Sequence, residues 1–302
     1  MAVKTIDFSC KHDCMIQNSD GSLSRMDEPY FEAKKIAEGT WQILSSGDFS
    51  YLVEGEEEAV AIDTGYGAGN IREYMQSLTS RPLRCVINTH DHFDHTANNG
   101  YFDRAYMGAG SIPLATVPFP SFAGIDFPTD YERIAVGNGY VFHLGGRDLE
   151  VFELPDHAAG SILLLDRKER ILFSGDEFHW QGKNLNGGLT SFMRNLERIY
   201  SHRAEFDRLC GGPGILDAEL VDQLYACGRY ILDGHEGETF EQEKFSLPLP
   251  KSPDEEGRTV YHRQLPHPED MHHDAEGEEQ CCRRRMAYAG TQITYDIRKR
   301  DL

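Results

Sequence analysis

Thr89-His90-Asp91-His92-Phe93-Asp94-His95 directly follows the short apolar run Cys85-Val86-Ile87-Asn88. Three histidines and two aspartates fall within six positions. The run before them is brief and β-branched enough for a buried strand. A strand end passing into a tight loop lets His90 and His92 project the same way, because side chains of extended chain alternate. Asp94 and His95 then open a helix, whose first turn favours an acidic residue, and their side chains can return toward the same point. Neutral imidazoles and a carboxylate held this densely suit a borderline-soft divalent metal such as zinc. A scattered pair of histidines would read as solvated surface; H-x-H-x-D-H on a strand end reads as a metal site.

Working outward, Thr40–Leu44, Ser50–Val53 and Ala59–Gly65 read as strands. The acidic run Glu54–Glu58 is a hairpin connection with Gly55 at its turn. Ile71–Leu78 has helical spacing and leads to the strand at Cys85, and strands, helix, strand and metal loop in that order suit an α/β sandwich. Beyond the motif, Tyr101–Met107 reads as a strand. Ser111–Tyr131, with four prolines and three phenylalanines, reads as an irregular loop, either a lid or substrate wall or an excursion packed on the body. Tyr140–Leu144 and Leu149–Leu154 flank Gly145-Gly146 as a hairpin that runs into Pro155-Asp156-His157. Ile162–Asp166 and Arg170–Ser174 form the next pair, followed by Gly175-Asp176. His157 and Asp176 each sit just past a strand end, as the first cluster does, so they are the natural distant ligands. Asn195–Ile199 and Leu216–Leu232 read as helices. Residues 1–34 read as polar and irregular, Lys251–Gln280 as extended or mobile, and Ala287–Asp296 as an added edge strand.

The chain has 302 residues, with 30 Lys and Arg against 50 Asp and Glu, a formal charge of −20. That charge repels phosphate backbones and argues against nucleic acid as the main partner. The N-terminus lacks a signal-peptide pattern and no apolar run is long enough to span a membrane, so a soluble cytoplasmic protein is expected, with no membrane partner. Seven cysteines form no C-x-x-C pair, which removes zinc-ribbon and thioredoxin readings.

The motif resembles the signature of the metallo-β-lactamase superfamily, and the likeness extends over about Trp41–Leu232. Pro155–Ser161 is similar to the family's P-G-H-T-P-G-S turn, and Phe173-Ser174-Gly175-Asp176 matches its F-S-G-D segment. The resemblance implies an α/β, four-layer αββα metallo-β-lactamase sandwich over 35–237, with an N-terminal extension (1–34) and a C-terminal extension (238–302). It implies one metal on His90, His92 and His157, and a second on Asp94, His95 and Asp176, with Asp176 bridging; Asp63 matches a supporting aspartate. One departure stands out. Where the family closes the second site with a late histidine, this chain has Leu209-Cys210-Gly211-Gly212-Pro213-Gly214, with Gly211 or Gly212 at the ligand position, and glycine offers no side-chain ligand. Cys210, His179, His235 or the tail histidines His262, His267, His272 and His273 are the candidates to replace it, so one or two zinc ions are expected.

The expected activity is metal-dependent hydrolysis of a small ester, lactone, thioester or amide by a metal-activated water oriented by Asp94. His179 and Lys183, in the loop after Asp176, are candidate substrate contacts. Two alternatives stay open: a mononuclear iron enzyme that oxidises sulfur compounds, since the same donors suit iron, and a catalytically inactive metal-binding homologue. The expected partner is a small-molecule substrate, with homo-oligomerisation possible through the C-terminal extension.

Overall fold

The computed structural model describes residues 4–12, 14–18, 20–45, 47–239, 259–262 and 282–302. The stretch expected to be extended or mobile lies outside these, apart from the backbone of Thr259–His262, which is a strand. So do His267, His272 and His273 and the side chain of His262. The chain divides into two units, Met1–Val136 with His143–Arg147 and Ser246–His272, and Gly137–Phe142 with Asp148–Phe245 and His273–Leu302. Among the described residues no helix is long and apolar enough to cross a membrane.

The first unit holds a seven-stranded sheet whose spatial order follows the sequence: Glu32–Ala37, Thr40–Ser45, Asp48–Glu54, Ala59–Ile62, Leu83–Ile87, Arg104–Gly108 and Glu132–Val136. The first three junctions are antiparallel, and the rest are parallel. Lys34 and Lys35 sit exposed on the outermost strand, the usual protection of a sheet edge. Ala59–Ile62 is buried at every position, as a central strand covered on both faces must be. Parallel pairing needs a crossover, supplied by helix α1 (Ile71–Ser77), which buries Ile71 and Met75 one turn apart. The Asn70 side chain accepts the Glu73 N–H at 3.1 Å and starts that helix. Because Ile62 pairs with Ile87 in parallel register, Asp63 and the His motif leave the sheet side by side.

One expectation changes in this unit, and one choice left open by the sequence is made. Residues 1–34 are not irregular: Cys14–Gln17 pairs antiparallel with Leu23–Arg25, and Ile6, Phe8, Ile16 and Met26 join the unit's core. Strands of four and three residues are too short for period-two alternation to register against a polar background. In the long loop, the phenylalanines pack on the body. Phe93, from within the motif, meets Phe119, Phe122 and Phe127 at centroid distances of 5.2, 5.1 and 4.8 Å.

The second unit has a six-stranded sheet, also in sequence order: Val141–His143, Asp148–Glu153, Ile162–Asp166, Ile171–Phe173, Arg208–Gly211 and Gly214–Asp217. Helices α3 (Leu189–Tyr200) and α4 (Glu219–Leu232) contribute Leu196, Ile199, Leu224 and Ile231 to its core. The single C-terminal strand expected over Ala287–Asp296 is a hairpin, Arg283–Tyr288 and Thr291–Asp296. Ala289 and Gly290, both with positive φ (55° and 86°), make its two-residue turn. Met286, Ile293 and Tyr295 are core residues, and Thr291–Asp296 pairs in parallel with Lys183–Asn184. This C-terminal stretch is structural core.

Candidate active site

In the first unit, Leu83–Ile87 ends in a loop that turns at His92 into the single-turn helix α2 (Phe93–Thr96). The alternation expected of that loop holds. The His90 and His92 rings meet edge-to-face at 4.5 Å, while Asp91 between them turns away to accept from the Ser111 hydroxyl at 3.0 Å. His90 and His95 are buried, with rings 4.2 Å apart. His92 and Asp94 are half-buried.

Asp63 organises these rings. It sits at φ +59°, a left-handed conformation that aspartate tolerates better than most residues. Its Oδ1 accepts the Thr89 N–H at 2.8 Å, and its Oδ2 accepts the Thr89 hydroxyl at 2.7 Å. Oδ2 also lies 2.9 Å from His95 Nδ1. A carboxylate only accepts, so His95 carries its proton on Nδ1 and presents the Nε2 lone pair. The Thr89 hydroxyl hydrogen is committed to Asp63, so at 3.1 Å Thr89 Oγ1 accepts from His90 Nδ1, and His90 presents Nε2 as well. An imidazole buttressed through its far nitrogen by a carboxylate is the outer-shell pattern of metal-binding histidines. Ligand atoms of His90 and His92, of His90 and His95, and of Asp48, Asp94 and His95 lie within 4.8 Å of one another. Asp48 was not among the residues singled out in the sequence.

In the second unit, His157 Nε2 stands 3.8 Å from Asp176 Oδ2, both half-buried. A buried clamp holds the two loops. Glu177 Oε1 accepts the His157 N–H at 2.7 Å and the Asp156 N–H at 3.3 Å. Lys183 Nζ lies 2.5 Å from Glu177 Oε2 and 2.9 Å from Asp156 Oδ2. Burial opposes the Lys183 charge, but the two carboxylates outweigh it and raise its pKa above the ordinary lysine value. Lys183 is 6% exposed, so its ammonium holds the His157 loop from beneath. His179 is half-buried, its ring tilted 34° against the exposed Trp180 at 3.9 Å. Its Nδ1 accepts from the Gln181 N–H, and burial lowers its pKa against the opposing pull of Asp176.

The family model described as the metallo-beta-lactamase superfamily matches residues 47–208, a span that contains all six expected ligands. The chain belongs to the metallo-β-lactamase superfamily. It is 34% identical over 217 residues to proteins named acyl-coenzyme A thioesterase MBLAC2 from Bos taurus and Homo sapiens, covering 61% of this chain and 71% of each relative. Among solved structures, a metallo-β-lactamase from Pontibacter korlensis superposes with TM-score 0.51 at 20% identity, covering 66% of this chain and 99% of that one. The fold is therefore the metallo-β-lactamase sandwich, and the protein is a hydrolase of that fold.

Of the two glycines that could stand at the late ligand position, Gly211 is closed by packing. A Cβ there would lie 2.1 Å from the Gly175 carbonyl oxygen, the residue before Asp176, so no side chain fits. Of the proposed substitutes, Cys210 is buried, and burial pushes its thiol up to about 12. His235 lies on Tyr230, rings 3.6 Å apart, with Nδ1 against the Tyr230 carbonyl. Among the described residues, the candidate metal groups include neither of these, nor His179. The donors that are present, imidazoles and carboxylates, fit zinc or iron alike.

Proposed function

We propose that the protein hydrolyses acyl thioesters of the acyl-coenzyme A kind, at a zinc-dependent site. In this reading His90, His92 and His157 hold one ion, and Asp94, His95 and Asp176 hold a second. The observation that carries it is the 34% identity over 217 residues to two acyl-coenzyme A thioesterases, together with the buttressed imidazoles. Zinc bound there supplies Lewis-acid chemistry, polarising the acyl carbonyl and acidifying water. The side chains do the rest. Asp63 and Thr89 keep His95 and His90 in the tautomers that present Nε2, and Asp94 takes a proton from the attacking water. Water oxygen bonds to the acyl carbon, the C–S bond breaks, and the electron pair leaves on sulfur. A thiol with pKa near roughly 8.5 departs as thiolate without a strong acid, so the reaction asks for no dedicated general acid. Trp180, exposed in the loop after Asp176 and backed by the His179 ring, offers an aromatic surface suited to the substrate's adenine or acyl chain.

The test is thiol release from acyl-coenzyme A esters of short to long chain, using zinc-loaded protein. Turnover is expected for at least one chain length, with loss in His92→Ala and after chelation. Zinc-replete, folded protein that releases no thiol from any ester would overturn the reading.

A further inference from the structure

We infer that Asp48 is a metal ligand, the side chain that completes the ion site of Asp94 and His95; the inference rests on the metal reading above. Ligand atoms of Asp48, Asp94 and His95 lie within 4.8 Å of one another. Two carboxylates so close repel each other, and a divalent cation between them removes that cost. Beside them, the His95 ring is wholly buried and turned by Asp63 so that Nε2 faces outward from the Nδ1 contact.

The position is built rather than incidental. Asp48 pairs with Ser45 at the closed end of the hairpin Thr40–Ser45/Asp48–Glu54. Ser45 is buried, and its hydroxyl accepts the Gly67 N–H at 3.1 Å. A Cβ on Gly65 would come within 2.5 Å of that hydroxyl, so the loop after Asp63 lies hard against the hairpin. Thr64, in the same loop, donates its N–H and its hydroxyl to the His95 carbonyl at 3.0 and 3.1 Å. Asn98 then bonds the carbonyls of Thr64, Gly65 and Gly67. One loop thus fixes Asp48 relative to the helix that carries Asp94 and His95. With Asp48 beside Asp94 and His95, the donor set is rich in oxygen.

The test is calorimetric titration of metal-stripped protein with zinc, comparing wild type, Asp48→Ala and Asp48→Asn, each checked for folding by circular dichroism. Wild type is expected to take two equivalents. Both variants should keep the tighter equivalent unchanged and weaken the other by more than the ~10–100-fold typical of losing an outer-shell partner. Cobalt(II) substitution gives a second readout, since loss of one oxygen ligand alters the d–d absorption of that ion alone. Two unchanged equivalents in the variants, or a single wild-type equivalent indifferent to Asp48, overturns the inference and leaves the metal reading standing. A wild-type protein that binds no zinc sinks the metal reading itself.

Discussion

Asp63 reaches both buried histidines of the motif, one directly and one through Thr89, and this makes Asp63→Asn an informative substitution. Asparagine tolerates the same positive φ, so the backbone is kept, but its amide cannot accept from both Thr89 and His95 as a carboxylate does. Zinc affinity should fall about 10–100-fold, while the buried donor left without an acceptor costs the metal-free protein about 1–3 kcal/mol; a zinc titration beside a thermal melt reads both. Lys183 predicts a larger loss of stability in the metal-free protein. Lys183→Met leaves Glu177 and Asp156 facing each other, buried and uncompensated, which costs about 3–5 kcal/mol. Urea denaturation of the metal-free variant should show that loss, and an unchanged midpoint would refute the clamp. The contrast separates a residue that tunes ligands from one that holds up the loop beneath them.

Restoring a histidine at the late turn should fail, because the obstacle there is the neighbouring backbone. Gly211→His would force the strand Arg208–Gly211 off the Gly175 carbonyl. The expected result is a loss of about 3 kcal/mol, the upper end of overpacking costs, with no added metal equivalent by elemental analysis. Much at this scale was legible beforehand. The His motif could be read because its donors are contiguous, and the strand-end positions of His157 and Asp176 followed from alternation of short apolar runs with turns. Asp48 could not: one aspartate at the start of a strand has no pattern, and its significance lies in a hairpin end pinned against a loop some twenty residues on. Lys183 looked like a substrate contact because it follows Asp176 closely. The buried carboxylates that engage it come partly from a segment nearly thirty residues earlier. The first N-terminal strands were hidden by their brevity, and the last hairpin by a turn whose first residue is alanine at positive φ.

For the whole molecule, the formal charge of −20 bears on the proposed substrate. A coenzyme A ester is a polyanion, so the protein's field opposes its approach, and added salt screens that repulsion. Raising ionic strength from ~10 mM to ~150 mM should increase kcat/KM for coenzyme A esters. An acyl ester of N-acetylcysteamine, which lacks the phosphates, should show no such gain. Equal salt responses for the two would mean that the surface charge has no part in substrate capture. The placement of Thr291–Asp296 carries a consequence of another kind. Its parallel neighbour, Lys183–Asn184, is synthesised more than a hundred residues earlier, and contacts of such long range form slowly. On the ribosome, α3, α4 and the Lys183 clamp must therefore wait with an open flank until the final hairpin emerges. This half of the enzyme is completed only after translation has passed it by, and the nascent chain is most exposed to chaperones and proteases in that interval.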